Sequence, residues 1–230
     1  MIVVHRFMSA MVAIQQLVAR EFYYHTPGGV IPLDRAERVV KKFAALYGVD
    51  ESRAADQARR RRGEARTRLV LWPDGGGLGF ILIATDGPGA VKEHERLQDA
   101  REARQRVRIR EYELAMLPRR GDVPRWTWRV ELDRYRDLID EGCRYARRED
   151  QSAAVEFIRR LQRWPGFNGV RTQQRAILAA MRHDARRAGR PPLPVVERLP
   201  WVRAHLRRTE PLAVWVAEET RRRALLHVTR

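Results

Sequence analysis

Apolar residues recur every three or four positions along the N-terminal segment. Val4, Phe7, Met11, Ile14, Val18 and Phe22 share one helix face, which predicts an amphipathic helix over residues 3–24. Thr26-Pro27-Gly28-Gly29 ends it. A second helix is predicted from Leu33 to Tyr47, with Val39, Val40, Phe43, Leu46 and Tyr47 turned inward and Gly48 as the stop. Asp50 or Ser52 caps a short third helix that runs out in Arg59-Arg60-Arg61-Arg62-Gly63.

The period then changes. Arg68-Leu69-Val70-Leu71-Trp72 and Gly79-Phe80-Ile81-Leu82-Ile83-Ala84 are short, β-rich runs joined by Pro73-Asp74-Gly75-Gly76-Gly77, a hairpin signal. Residues 90–103 are polar and read as a helix. Residues 104–117 and 126–132 read as a second strand pair around Pro118-Arg119-Arg120-Gly121-Asp122. Leu69, Leu71, Ile81, Ile83, Leu114 and Trp128 are expected in the core, with helices covering one face of the sheet.

Helical spacing returns at Tyr135, Leu138, Ile139 and Ala146, at Val155, Ile158 and Leu161, and at Val170, Ile177, Leu178 and Met181. Pro165-Gly166 and Gly189 separate these elements, and the prolines of 190–200 suggest a strap over the surface. The tail reads two ways: Leu212-Ala213-Val214-Trp215-Val216-Ala217 alternates like a strand, while Pro211 is placed to open a helix. The expected fold is α+β, a central four-stranded, mainly antiparallel sheet flanked by N-terminal and C-terminal helices. The divisions fall at 1–63 (helical), 64–189 (sheet plus helices) and 190–230 (Pro-rich strap and basic tail), or the whole is one domain.

Charge changes the picture. The 230 residues carry 46 basic against 29 acidic side chains, a formal net charge of +17. Only Lys41, Lys42 and Lys92 are lysine; every other basic residue is arginine. A GC-rich codon bias favours Arg over Lys but leaves the surplus over acids unexplained. Guanidinium groups fork two N–H donors toward phosphate, so the composition points to a polyanion, nucleic acid above all. Cys143 is the only cysteine, which excludes an intrachain disulfide or zinc cluster and fits a reducing, cytoplasmic setting. It falls on an apolar helix face and reads as a packed thiol. The N-terminal run holds His5, Arg6, Gln15 and Gln16 and lacks a basic start and a cleavage site, so neither a leader nor a membrane segment is expected.

Candidate contacts follow from the arginines. On a strand, Arg104, Arg106, Arg108 and Arg110 would line one face at roughly 7 Å intervals, near the phosphate repeat. The alternative is an exposed face partnered by Glu93, Glu95, Asp99, Glu102 and Glu111. Arg59, Arg60, Arg61 and Arg62, with Arg53, Arg66 and Arg68 nearby, form a second cluster, which the helix dipole also favours without any ligand. Further arginines at 182, 186, 187, 190, 203, 207, 208 and 221–223 spread the footprint. Trp126 and Trp128 share one strand face, where core packing outweighs base stacking. Tyr23-Tyr24-His25 is like the tyrosine of nicking enzymes but lacks their paired histidines. His94 lies between two glutamates whose helical directions diverge, and Gly75-Gly76-Gly77 lacks the Lys-Ser/Thr of a phosphate loop. No cofactor or metal site is expected, and no complete catalytic motif is present.

Tyr112-Glu113-Leu114 through Leu117-Pro118-Arg119, leading into Trp126-Thr127-Trp128-Arg129, together with Pro165-Gly166-Phe167-Asn168-Gly169-Val170-Arg171, carry a resemblance. Over residues 65–190 the chain resembles uncharacterised accessory proteins of proteobacterial plasmids and integrative conjugative elements. The resemblance implies a mobile-element setting and transfers no catalytic residue. Physically, the second segment reads as a turn delivering Arg171 to a helix N-terminus that favours phosphate, or as Phe167 stapling that turn to the core. The sequence thus supports a non-enzymatic nucleic-acid-binding accessory protein, DNA before RNA. The alternatives are a protein-interaction subunit of a larger ribonucleoprotein or an inhibitor of a host defence system, and a nuclease or nicking enzyme with an unfamiliar site.

Overall fold

A computed structural model describes residues 1–119, 122–194, 196 and 211–228. Arg120, Gly121, Arg203, Arg207 and Arg208 lie outside the described residues, as do the side chains of Arg222 and Arg223. The elements in order are β1 (Ile2–Val3), α1 (Phe7–Val18), β2 (Tyr24–His25), β3 (Gly29–Pro32), α2 (Ala36–Tyr47) and α3 (Arg53–Arg62). Next come β4 (Thr67–Asp74), β5 (Gly77–Ala84), α4 (Ala90–His94), β6 (Gln98–Asp99), β7 (Arg108–Ile109), β8 (Tyr112–Arg119) and β9 (Asp122–Val130). Then follow α5 (Leu132–Ala146), α6 (Ser152–Gln162), α7 (Asn168–Arg187) and α8 (Leu212–Val228). The class is α+β, but the expected four-stranded sheet is replaced by two separate sheets. One has six strands, ordered β1-β4-β5-β2-β6 with β3 also on β5; the other is the antiparallel trio β7-β8-β9.

The reason lies at the edges. The β4–β5 hairpin pairs in full register from Thr67↔Ala84 to Asp74↔Gly77. β1 takes one side in parallel, Ile2↔Val70 and Val3↔Leu71, while β2 and β3 take the other. The second hairpin does not join this sheet; it pairs with β7 in a sheet of its own. Two compact units result: Met1–Val107 with Ala204–Arg230, and Arg108–Arg203.

In the first unit, side chains of β4 alternate between two covered faces. Leu69, Leu71, Leu78 and Leu82 pack with Val40 and Tyr47 of α2 and with Leu212 and Trp215 of α8. Val70, Ile81 and Ile83 point the other way and are equally buried, on the side where α1 meets β4. A continuous apolar run is what a strand covered on both sides requires, so the expectation of helices on one face gives way to both. Two predicted helices are shortened. Residues 2 and 3 are drawn into the sheet, leaving α1 from Phe7; the segment 90–103 is helical only as far as His94, after which Gln98–Asp99 pairs with Tyr24–His25. The tail is helical, opened at Pro211, whose carbonyl accepts from Trp215 N–H.

In the second unit α7 packs on α5 and on β9. A Cβ at Gly169 would stand 2.5 Å from the Trp128 carbonyl oxygen, so only glycine lets the start of α7 lie this close to the strand. The Gln173 amide donates to the Val130 carbonyl and accepts from the Val130 N–H, at 2.9 and 2.7 Å. Leu114, Trp128, Leu161, Val170 and Ile177 are fully buried. The start of the strap follows this unit: Gln151 donates to the Pro191 carbonyl and Leu193 is buried.

Candidate functional site

Two helix ends converge on Phe22. α1 closes in a Schellman turn, in which Phe22 N–H donates to the Leu17 carbonyl and Glu21 N–H to the Val18 carbonyl. Glu21 takes the left-handed position, φ 71°, where glycine is the usual residue. α3 closes the same way: Glu64 N–H reaches the Arg59 carbonyl, Gly63 N–H the Arg60 carbonyl, and Gly63 has φ 70°. Its start is fixed by the Ser52 hydroxyl, which accepts from Ala55 N–H.

Arg66 and Arg68 stand two residues apart where β4 begins, so both point to the α1 face. Their guanidinium carbons lie 5.0 and 5.5 Å from the Phe22 ring centroid. Asp56 of α3 holds both, at 3.7 Å from Arg66 and 2.6 Å from Arg68. With Arg20 and Arg60 these side chains line a concavity of about 500 Å³. Arg20 and Arg60 are exposed and have no ion pair among the described residues. Four arginines therefore face two carboxylates, Asp56 and Glu21. One pair is locked in place and the other stands open to solvent, an arrangement suited to several oxygens of an anionic backbone.

The arginines predicted as contacts divide sharply. Arg59 makes a bidentate pair with Glu51, at 2.7 and 2.6 Å, and Arg62 pairs with Glu64 at 2.6 Å. Both carboxyls are held below the usual carboxylate range, chiefly by those hydrogen bonds. Only Arg60 and Arg61 of that run are uncommitted among the described residues.

The arginine ladder does not form. Arg104 lies in a turn, the unit boundary falls after Val107, and Arg110 takes φ 53° in the tight turn between β7 and β8. Burial does alternate, with Val107 and Ile109 inside, but the strand on this side is only Arg108–Ile109. Arg108 lies 4.0 Å from Glu113 and 3.9 Å from Glu131. Arg171 is also not presented to solvent: it is 5% exposed, and burial, then Arg175, holds its guanidinium below the ordinary value. Phe167 acts as the staple, its ring 6.5 Å from that of Trp128.

Trp126 and Trp128 are both buried. His25 is 1% exposed with each ring nitrogen 2.8 Å from a backbone carbonyl, of Thr26 and of Gln105, so neither is open to a metal. Arg101, paired with Asp99, covers Tyr23 at 4.6 Å. Burial first, then Asp184, pushes the Cys143 thiol up to about 11. Among the described residues no cluster of His, Cys, Asp and Glu could hold a metal ion, and no helix is long and apolar enough to cross a membrane.

Arg20 escapes a reading based on runs of charge because it stands alone in sequence. Its signal is local, an arginine and an aromatic flanking a helix stop in Arg20-Glu21-Phe22, with Arg66 and Arg68 at the two-residue spacing of a strand. No family model, curated protein or solved structure matches this chain.

Proposed function

We propose that this protein binds nucleic acid by its phosphate backbone, without catalysis, and that the arginine cradle around Phe22 is the central contact. The observation that carries the reading is the convergence of Arg20, Arg60, Arg66 and Arg68 on one concavity, two of them without an ion partner among the described residues. Asp56 and the Phe22 ring fix Arg66 and Arg68 in advance, so little side-chain entropy is lost when a phosphate arrives. Arg61 extends the surface on α3, and the +17 net charge supplies long-range attraction. Nothing in the cradle reads base edges, so binding is indifferent to sequence. The mobile-element resemblance favours DNA over RNA and an accessory role in transfer, replication, regulation or protection.

The test is fluorescence anisotropy with labelled single- and double-stranded DNA and RNA over a salt series. If six or more phosphates are engaged, affinity falls roughly a thousandfold or more between 50 and 200 mM salt. A flat salt response removes the backbone reading, leaves the arginines as a solubilising surface, and makes a protein partner the better explanation.

A further inference from the structure

A second cavity lies in the first unit, on the opposite face of the six-stranded sheet from the cradle. Phe80 and Leu82 of β5 share the face of Leu71 and Leu69 through the register Leu71↔Phe80 and Leu69↔Leu82, whereas Arg68 and Ile83 point the other way. The cavity measures about 550 Å³, within the ~300–1,000 Å³ of small-molecule sites. Its apolar wall is Phe43, Phe80, Leu82 and Leu97, the two rings 5.7 Å apart and tilted at 40°. Both phenylalanines are only half-buried.

The lining also carries polar side chains whose hydrogen-bonding capacity is largely unused among the described residues. Glu95 accepts from the Tyr47 hydroxyl at 2.6 Å through Oε1, which leaves Oε2 without a partner among the described residues. That contact also helps push the Tyr47 phenol up to about 12, after burial, so it stays a donor. Gln105 accepts from Asp99 N–H through Oε1 at 2.8 Å, which fixes the amide and leaves its NH₂ group to donate. Arg96 and Gln98 also line the cavity and have no side-chain partner among the described residues; the segment Thr26-Pro27-Gly28 closes it. An aromatic wall beside a carboxylate acceptor, two amides and a guanidinium is the set of groups that recognises a flat heterocycle bearing both donors and acceptors on a phosphorylated sugar.

We infer that this cavity takes one nucleotide, its base against Phe80 and Phe43, its base edge served by Glu95, Gln98 and Gln105, and its phosphate by Arg96. The site does not depend on the cradle: it uses different residues on the other side of the sheet. The nucleotide is either free or one residue of a bound strand, and the chemistry of recognition is the same.

Isothermal titration calorimetry tests this in the full chain carrying R20A/R60A, so that loss of polyanion binding at the cradle cannot mask the result. AMP, GMP, CMP and UMP are titrated beside ribose 5-phosphate, which has the sugar and phosphate but no base. A tetranucleotide is compared with the same chain holding one abasic residue. The expected result is binding of at least one mononucleotide, or of the tetranucleotide over its abasic form, at least tenfold tighter than the baseless control. The first outcome assigns a free nucleotide and the second a strand. F80L removes the stacking face and Q98A a half-buried amide of the lining; each should weaken that binding at least fivefold. Q98A removes a half-buried side chain with no side-chain partner among the described residues and leaves the backbone pairing of β6 in place, so it keeps the test valid if F80L fails to fold. Equal binding of the baseless controls, no binding at 5 mM ligand, or a Q98A affinity within twofold of the parent overturns the inference.

Discussion

Replacing Arg20 and Arg60 together by alanine isolates the open half of the cradle. Each phosphate contact on duplex DNA contributes about 0.9 to the slope of log K against log salt, and about 0.7 on a single strand. Two contacts therefore account for about 1.8 of the duplex slope, which at 0.1 M salt corresponds to roughly 60-fold in affinity relative to a 1 M reference. R20A/R60A should lose about that much, for every sequence alike. Neither side chain has an ion pair among the described residues, so the substitutions should change stability by no more than about 0.5 kcal/mol, a shift in Tm of about 2 °C or less. The comparison variant is R106A/R108A, which removes the same charge. Arg108 already lies near Glu113 and Glu131 and takes no part in the cradle, so the slope should fall by less than half as much. Anisotropy on a labelled 30-mer between 50 and 300 mM salt reads both quantities. Equal losses from the two double variants would mean that net charge, not the cradle, governs binding. An unchanged slope in R20A/R60A would refute the site outright.

Ile81 is 1% exposed on the α1 face, so I81A should cost about 2–5 kcal/mol in urea unfolding, and a shift under 1 kcal/mol would show the core misplaced. Glu21 holds a left-handed φ at a helix stop, so E21G should stabilise by about 1 kcal/mol while E21A, still strained, should not; equal effects would contradict the backbone account. Burial holds His25 below its ordinary 6.5, against the pull of the two carbonyls. The unfolded chain then binds the extra proton between the two values, so stability is present above pH 6.5 and lost as pH falls, by up to about 1.4 kcal/mol per unit. H25Q should flatten that dependence in urea titrations at pH 7.5 and 5.5, and an unaltered slope would exclude His25 as its source. The raised Cys143 thiol should resist iodoacetamide at pH 7.5 until the chain unfolds, and fast native labelling would count against its packed setting.

Local signals carried well into the fold where an element is long enough to declare its own period. α2 and α3 end at Gly48 and Gly63, where the sequence stops them, and the β4–β5 hairpin follows its Gly-rich turn. The short strands were invisible because two residues have no period. Ile2–Val3 and Tyr24–His25 are strands only through partners more than fifty residues away. The arginine ladder failed for a related reason: alternation of Arg with Val107 and Ile109 is real, but the tight turn at Arg110 cuts the strand off. At the cradle, Arg60, Arg66 and Arg68 were legible as a cluster. Arg20 was not, because tertiary packing of α1 against the sheet brings it there.

The Gln173 amide on both polar groups of Val130 bears on how this molecule meets its own copies. β9 is an outer strand, and such a strand ordinarily offers its free N–H and C=O groups to any passing extended chain. Here a helix side chain occupies the place where another peptide would hydrogen-bond at one end of the strand. Farther along, Pro124 has no N–H to give. A strand from a second molecule would find the row interrupted at both points, so this edge of the three-stranded sheet resists edge-to-edge growth into fibrils.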